Sequence, residues 1–136
     1  MYYINCIFIS TFYDNFPYFL TTSSVATLGK SVDLNKVLVT LKEEKIVAPD
    51  ATWEKIPFYK PKSSLECKDG YKGRLGIHET LKISSVVKEL ILRGAPAAEI
   101  ETQGRKEGML TMIEDGIFKA VQGVTTIEEV FRVVSE

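Results

Sequence analysis

The stretch "ECKDGYKGRLGIHETLKI", residues 66–83, changes character halfway along. Its first half places Gly70, Gly73 and Gly76 at every third position, a spacing suited to tight turns. Its second half sets Leu75, Ile77, Glu79, Leu81 and Ile83 in alternation with Gly76, His78, Thr80 and Lys82. Strict alternation is the signature of a strand. The reading is a glycine turn feeding a strand, and the rest of the chain is organised on either side of it.

Beyond the strand, the period changes from two to that of a helix. Ser84 is a good N-cap for "SSVVKELILRG" (84–94), where Val87, Leu90 and Ile91 form an apolar stripe and Gly94 ends it. Pro96 occupies the first-turn position of the next helix. "LTMIEDGIFKAVQG" (110–123) follows, with Met112, Ile113, Ile117, Ala120 and Val121 apolar and Gly123 as terminator. "TTIEEVFRVVSE" (125–136) opens with Thr125 and Glu128 at capping-box spacing and buries Ile127, Val130, Phe131 and Val134. The fold class expected is α+β: short strands followed by a C-terminal helical bundle.

Upstream, "SVDLNKVLVTLKEEKIV" (31–47) reads as one helix, capped by Ser31 and ended by Pro49. Pro49, Pro57 and Pro61 make the segment from there to Gly70 a loop, with one short extended piece at 53–59. The first twenty residues stand apart. They hold eight of the fourteen aromatic residues, and no Lys or Arg precedes Lys30. That excludes the basic start of a signal peptide, and Asn5, Asp14, Asn15 and Pro17 interrupt any membrane span. Two readings stay open here: a leader poorly matched to the rest, or a strand or hairpin. The organisation expected is an aromatic-rich leader at 1–24, a middle subdomain at 25–67, and a strand-plus-helices unit at 68–136.

A net charge of −1 gives no reason to expect nucleic acid as a partner. Spacing bears on three candidate chemistries. His78–Glu79 begins an H-E-x-x-H zinc motif, but position 82 is Lys, and neighbours on a strand face opposite ways. "SSVATLGKS" supplies Gly29, Lys30 and Ser31 of a phosphate loop, yet Ser24 stands where the first glycine must let N–H groups converge. Cys67 has Ser64 where a C-x-x-C pair needs a second thiol, and Cys6 is far away in sequence. Two thiols and one imidazole fall short of a tetrahedral zinc site. Glu114, Asp115, Glu128 and Glu129 lie where helix starts favour carboxylates. No catalytic residue, cofactor site or metal site follows from the residues alone.

The order of the punctuated segments resembles the C-terminal region of the secretion-superfamily motor ATPases, the type II secretion E-protein and type IV pilus assembly ATPases. That family's pattern there runs G-Y-x-G-R-x-G-I-x-E, then G-M-x-T-M/L-x-x-D-G, then K-x-x-x-G-x-T-T-x-E-E-V. Gly70, Tyr71, Gly73, Arg74, Gly76, Ile77 and Glu79 match the first. Gly108, Met109, Thr111, Asp115 and Gly116 match the second, and Lys119, Gly123, Thr125, Thr126, Glu128, Glu129 and Val130 the third. The resemblance is strong over 68–136 and looser over 28–67.

The resemblance implies that the strand and helices derive from the end of a RecA-like α/β ATPase core. It implies that 25–67 is a degenerate form of a cysteine-rich zinc subdomain, with Cys67 a vestige of its second C-x-x-C pair. Complete family members use ATP and Mg²⁺, through a phosphate loop, Asp box, Walker B and His box that this sequence does not contain. The expectation is therefore a C-terminal fragment, inactive as an ATPase alone. It would pack against other subunits of a homo-hexameric motor and against inner-membrane platform proteins, in the cytoplasm at the membrane periphery. The alternative is a freestanding interaction module that binds such a motor or its platform protein.

Overall fold

The computed structural model describes residues 2–10, 15–30, 32–63, 65 and 68–134, with the backbone alone for 2–10, 15 and 16. Among the described residues, four strands and six α-helices follow in the order β1 (Tyr2–Ser10), β2 (Asn15–Phe19), α1 (Thr22–Leu28), α2 (Leu34–Glu43), β3 (Pro57–Pro61), β4 (Arg74–Lys82), α3 (Ser85–Leu92), α4 (Ala97–Lys106), α5 (Met112–Val121) and α6 (Ile127–Val134). A single 3-10 turn, Trp53–Lys55, precedes β3. The α+β class expected from the sequence is the one observed.

The strands form two separate antiparallel pairs. β1 runs against β4 without a bulge, from Tyr2 opposite Lys82 to Ser10 opposite Arg74. β2 runs against β3, from Asn15 opposite Pro61 to Phe19 opposite Pro57. The aromatic segment at the start thus takes strand conformation, but its two strands do not form a hairpin with each other. Each pairs with a strand that lies far along the chain.

Two apolar clusters hold these elements together. The larger gathers Leu20, Val32, Val37 and Leu41 around the proline-rich segment's Trp53, Ile56 and Phe58, and closes on Ile117, Ala120, Val121 and Ile127. Trp53 stacks near Phe58, with ring centroids 6.4 Å apart, and donates its indole N–H to the carbonyl of Leu34 at 3.3 Å. The smaller cluster joins Ile77 of β4 to Val130 and Val133 of α6, with Leu75 and Met112 against it. Ile113 touches both, so α5 is the element the two clusters share. Its contact with α6 depends on Gly116: a Cβ there would lie 2.4 Å from Cγ1 of Val130, closer than real atoms approach.

Several boundaries differ from those expected. The helix read over 31–47 is α2, at Leu34–Glu43. Its cap is Asp33, whose side chain accepts from the Lys36 N–H at 3.1 Å, and Ser31 lies outside the described residues. Lys45 ends it with a φ of 57°, well before Pro49. Within the "SSVATLGKS" stretch, Ser24 sits in α1, whose carbonyls already hold the Gly29 N–H, so the backbone there is a short helix and not a phosphate cradle. A capping box forms at α5, where Thr111 and Glu114 each accept from the other's N–H. For α6 the capping hydroxyl is Thr126, which accepts from the Glu129 N–H at 3.0 Å. Adjacent threonines satisfy the sequence pattern equally; the one that is used is set by the turn described next.

Candidate functional site

The three matched stretches meet around the start of α5 and α6. The glycine turn is the first. Gly70 is buried with φ of 77°, and a Cβ there would lie 2.8 Å from Pro61 and 2.9 Å from the Lys62 carbonyl oxygen, so a side chain is excluded on both counts. Asp69 accepts from the Tyr71 N–H at 3.2 Å, which closes the turn. Tyr71 then reaches across the fold, and its hydroxyl bonds that of Thr126 at 2.9 Å. Burial pushes the Tyr71 phenol up from its ordinary pKa, partly offset by this bond to Thr126. One threonine hydroxyl therefore caps α6 and docks the glycine turn onto it.

A second tie approaches the same corner from β2. The Tyr18 hydroxyl donates weakly to both carboxylate oxygens of Glu128, at 3.4 and 3.5 Å. Lys60 of β3 sits over the Tyr18 ring, 4.9 Å from its centre. Burial first, and then the Glu128 charge, push the Tyr18 phenol up, so it stays a neutral donor.

The middle stretch anchors both β4 and α4. Asp115 accepts the backbone N–H of His78 at 2.7 Å and ion-pairs with Lys119 one turn along α5. The His78 ring is half exposed, its Nδ1 3.9 Å from the same carboxylate. Glu114 is only 1% exposed. It holds the Thr111 N–H at 2.9 Å and receives Arg105 of α4 at 2.7 Å. Neither carboxylate is idle: each terminates a backbone donor and a cation, which is what fixes α4, α5 and β4 in one arrangement. Met109 is buried, and its carbonyl accepts from Lys36 Nζ at 2.8 Å, tying the turn after Gly108 to α2.

The remaining matched residues lie on the same frame. Arg74 opens β4 on an exposed position opposite Ser10, and Glu79 stands opposite Asn5. Gly73 and Gly108 take positive φ in turns, at 88° and 95°, and Gly76 lies buried in β4 opposite Phe8. Thr125 is fully buried, and Thr126 nearly so. Cys67 and Ser64 fall outside the described residues. Among the described residues no group of three or more His, Cys, Asp or Glu side chains could hold a metal ion. Lys30 borders an open cleft of about 660 Å³ beside Gly29, Asn35 and Trp53. Sequence reasoning did not single out Tyr18, Lys36 or Arg105. Each acts on a residue in another element, and no local pattern marks it.

A family model described as "Type II/IV secretion system protein" matches residues 33–132. The chain belongs to that family. Over 78 residues it is 41% identical to the "Type IV pilus assembly ATPase PilB" of Pseudomonas aeruginosa, an alignment covering 57% of this chain and 14% of that protein. It is 44% identical over 78 residues to the "Type II secretion system protein E" of Xanthomonas campestris, with the same two shares. To the "Protein transport protein HofB homolog" of Escherichia coli it is 35% identical over 92 residues, 67% of this chain and 20% of the relative. The chain thus spans a fifth or less of the length of these relatives. Among the described residues, no helix is long and apolar enough to cross a membrane.

Proposed function

We propose that this chain acts as the C-terminal strand-and-helix part of a type II secretion or type IV pilus assembly ATPase. In this role it packs one subunit against the next in a hexameric motor at the cytoplasmic face of the inner membrane. The strand β4 and its helices would be the remainder of a RecA-like core, and residues 25–67 the counterpart of the family's zinc subdomain. The observation that carries the reading is the Tyr71–Thr126 bond, which joins the first matched stretch to the third on the unit that also holds Asp115 and Gly116. These ties between the matched stretches support a role in packing.

On this reading the chain alone neither binds nor hydrolyses ATP. Binding needs a glycine-rich turn over the phosphates, a lysine aimed at them and acidic residues on Mg²⁺. Gly29-Lys30 instead closes α1 beside an open cleft. Titration calorimetry of the full chain with Mg·ATP is expected to give no binding heat. Saturable binding that disappears in Lys30→Ala would overturn the assignment. The alternative of a freestanding interaction module draws on α3, where Val86, Ile91 and Leu92 are exposed, Leu92 at 76%. It would be preferred if the chain bound an intact motor or platform protein without entering the ring.

A further inference from the structure

Among the described residues, the two apolar clusters draw on every α-helix except α3 and α4. These two pack chiefly on each other, and together they bury only Val87, Leu90 and Gly104. A cleft of about 380 Å³, bordered by Val86, Leu90, Glu99 and Gln103, opens between them. α3 has 8 residues and α4 has 10, fewer than the roughly 12–15 at which a helix holds by itself in water. Their structure therefore depends on staying docked.

Two contacts stand out in docking the pair on the rest of the fold. Gly104 seats α4 closely: a Cβ there would lie 2.6 Å from Cδ1 of Leu81 and 2.9 Å from Sδ of Met109. Arg105 makes the other, donating to Glu114 of α5 at 2.7 Å. Glu114 is almost wholly buried, so its charge depends on that guanidinium. The Ser84–Glu107 and Arg93–Glu99 contacts join α3 to α4 and tie neither to the body. Gly108 follows α4 at a φ of 95°, and no atom lies within 4 Å of where its Cβ would stand. That joint is unobstructed.

We infer that α3 and α4 form a separate opening unit, which undocks and unfolds locally while both apolar clusters stay intact, with Arg105 on Glu114 as its latch. Segments with few buried apolar contacts open at free energies below that of the whole fold. This goes beyond the packing role proposed above and does not depend on it. It gives the unit a moving part, the one that carries the exposed Val86, Ile91 and Leu92.

Native-state amide hydrogen exchange of the full chain, read residue by residue, tests the inference. Protected amides of α3 and α4 are expected to share one protection level, about tenfold or more below that of β4 and α5. Ile117 is fully buried in the larger cluster. Ile117→Val should therefore lower protection in β4 and α5 by about threefold or more and leave α3 and α4 unchanged. Arg105→Met, which keeps the aliphatic stem, should lower protection in α3 and α4 by about tenfold. Arg93→Met, which breaks an exposed pair inside the unit, should change it by less than about threefold. Equal protection in all the helices overturns the inference, as does a fall in α3 and α4 on Ile117→Val. Arg105→Met without effect overturns it too, and so does a parent chain in which α3 and α4 are unprotected, since no docked state would then exist to latch.

Discussion

Replacing Gly116 by alanine sets two effects of opposite sign against each other. In an exposed helix the change would stabilise by about 1 kcal/mol, because glycine pays more backbone entropy. Here the new methyl would lie 2.4 Å from Cγ1 of Val130, with Cγ2 and Cβ at 3.1 and 3.3 Å. Ordinary carbon contacts sit near 3.5–4.0 Å, so α6 must retreat by about 1 Å. Val130 is fully buried and its β-branched side chain is stiff, so it yields little. Overpacking of this kind costs about 2–3 kcal/mol, leaving a net destabilisation of roughly 1–2 kcal/mol. Urea unfolding followed by circular dichroism would read this as a lower midpoint at unchanged slope. Val130→Ala, costing about 2 kcal/mol alone, should cost markedly less in the Gly116→Ala background, since it removes the atoms that clash. A Gly116→Ala variant more stable than the parent, or strictly additive costs, would refute the close α5–α6 packing.

Two other consequences can be checked by the same unfolding assay. Thr126→Ala should cost about 1 kcal/mol or somewhat more, because one hydroxyl serves both the α6 cap and Tyr71, whereas Glu128→Ala should stay within about 0.5 kcal/mol; the reverse ranking would restore the capping box at Thr125 and Glu128. Glu107 is held below its ordinary pKa by hydrogen bonds from Gln103 and Ser84. A depressed carboxyl stabilises the fold above its ordinary pKa and loses that contribution as pH falls through its folded value. Glu107→Gln should therefore flatten the stability profile on the acid side of pH 4.5, and an unchanged acid limb would exclude a role for these bonds.

The parts of the fold legible in the sequence were those fixed by neighbours along the chain. The alternation through 74–83 gave β4, with Ile77 buried and His78 half exposed as a strand demands. Ser84 caps α3 as its position suggested, accepting from the Val87 N–H at 3.2 Å. α1 escaped notice because it is seven residues long and buries none of them fully, so it leaves no apolar stripe to read. The pairing of β1 with β4 was illegible for a different reason. It joins residues more than sixty positions apart, and nothing local in "YYINCIFIS" names a partner.

The same division holds at the candidate site. The turn glycines and the Gly108–Gly116 and Thr125–Val130 stretches were found through resemblance, but their mechanical roles were not. Asp115 was read as a favourable charge at a helix start; it also terminates a backbone N–H of β4. Glu114 was read likewise, and its burial against Arg105 depends on how α4 folds back onto α5. Capping-box spacing points to Thr125 with Glu128, whereas the bond to Tyr71, fifty-five residues away, falls on Thr126.

The central claim is that this unit can serve as the packing region of a secretion motor. It is tested most directly by exchange. The 78 aligned residues of the Pseudomonas aeruginosa pilus assembly ATPase would be replaced by the corresponding residues of this chain, and ATP hydrolysis and assembly state measured on the purified chimera. The account predicts a chimera that assembles as its parent does and hydrolyses ATP. A chimera that is folded by circular dichroism yet neither assembles nor hydrolyses ATP would contradict it.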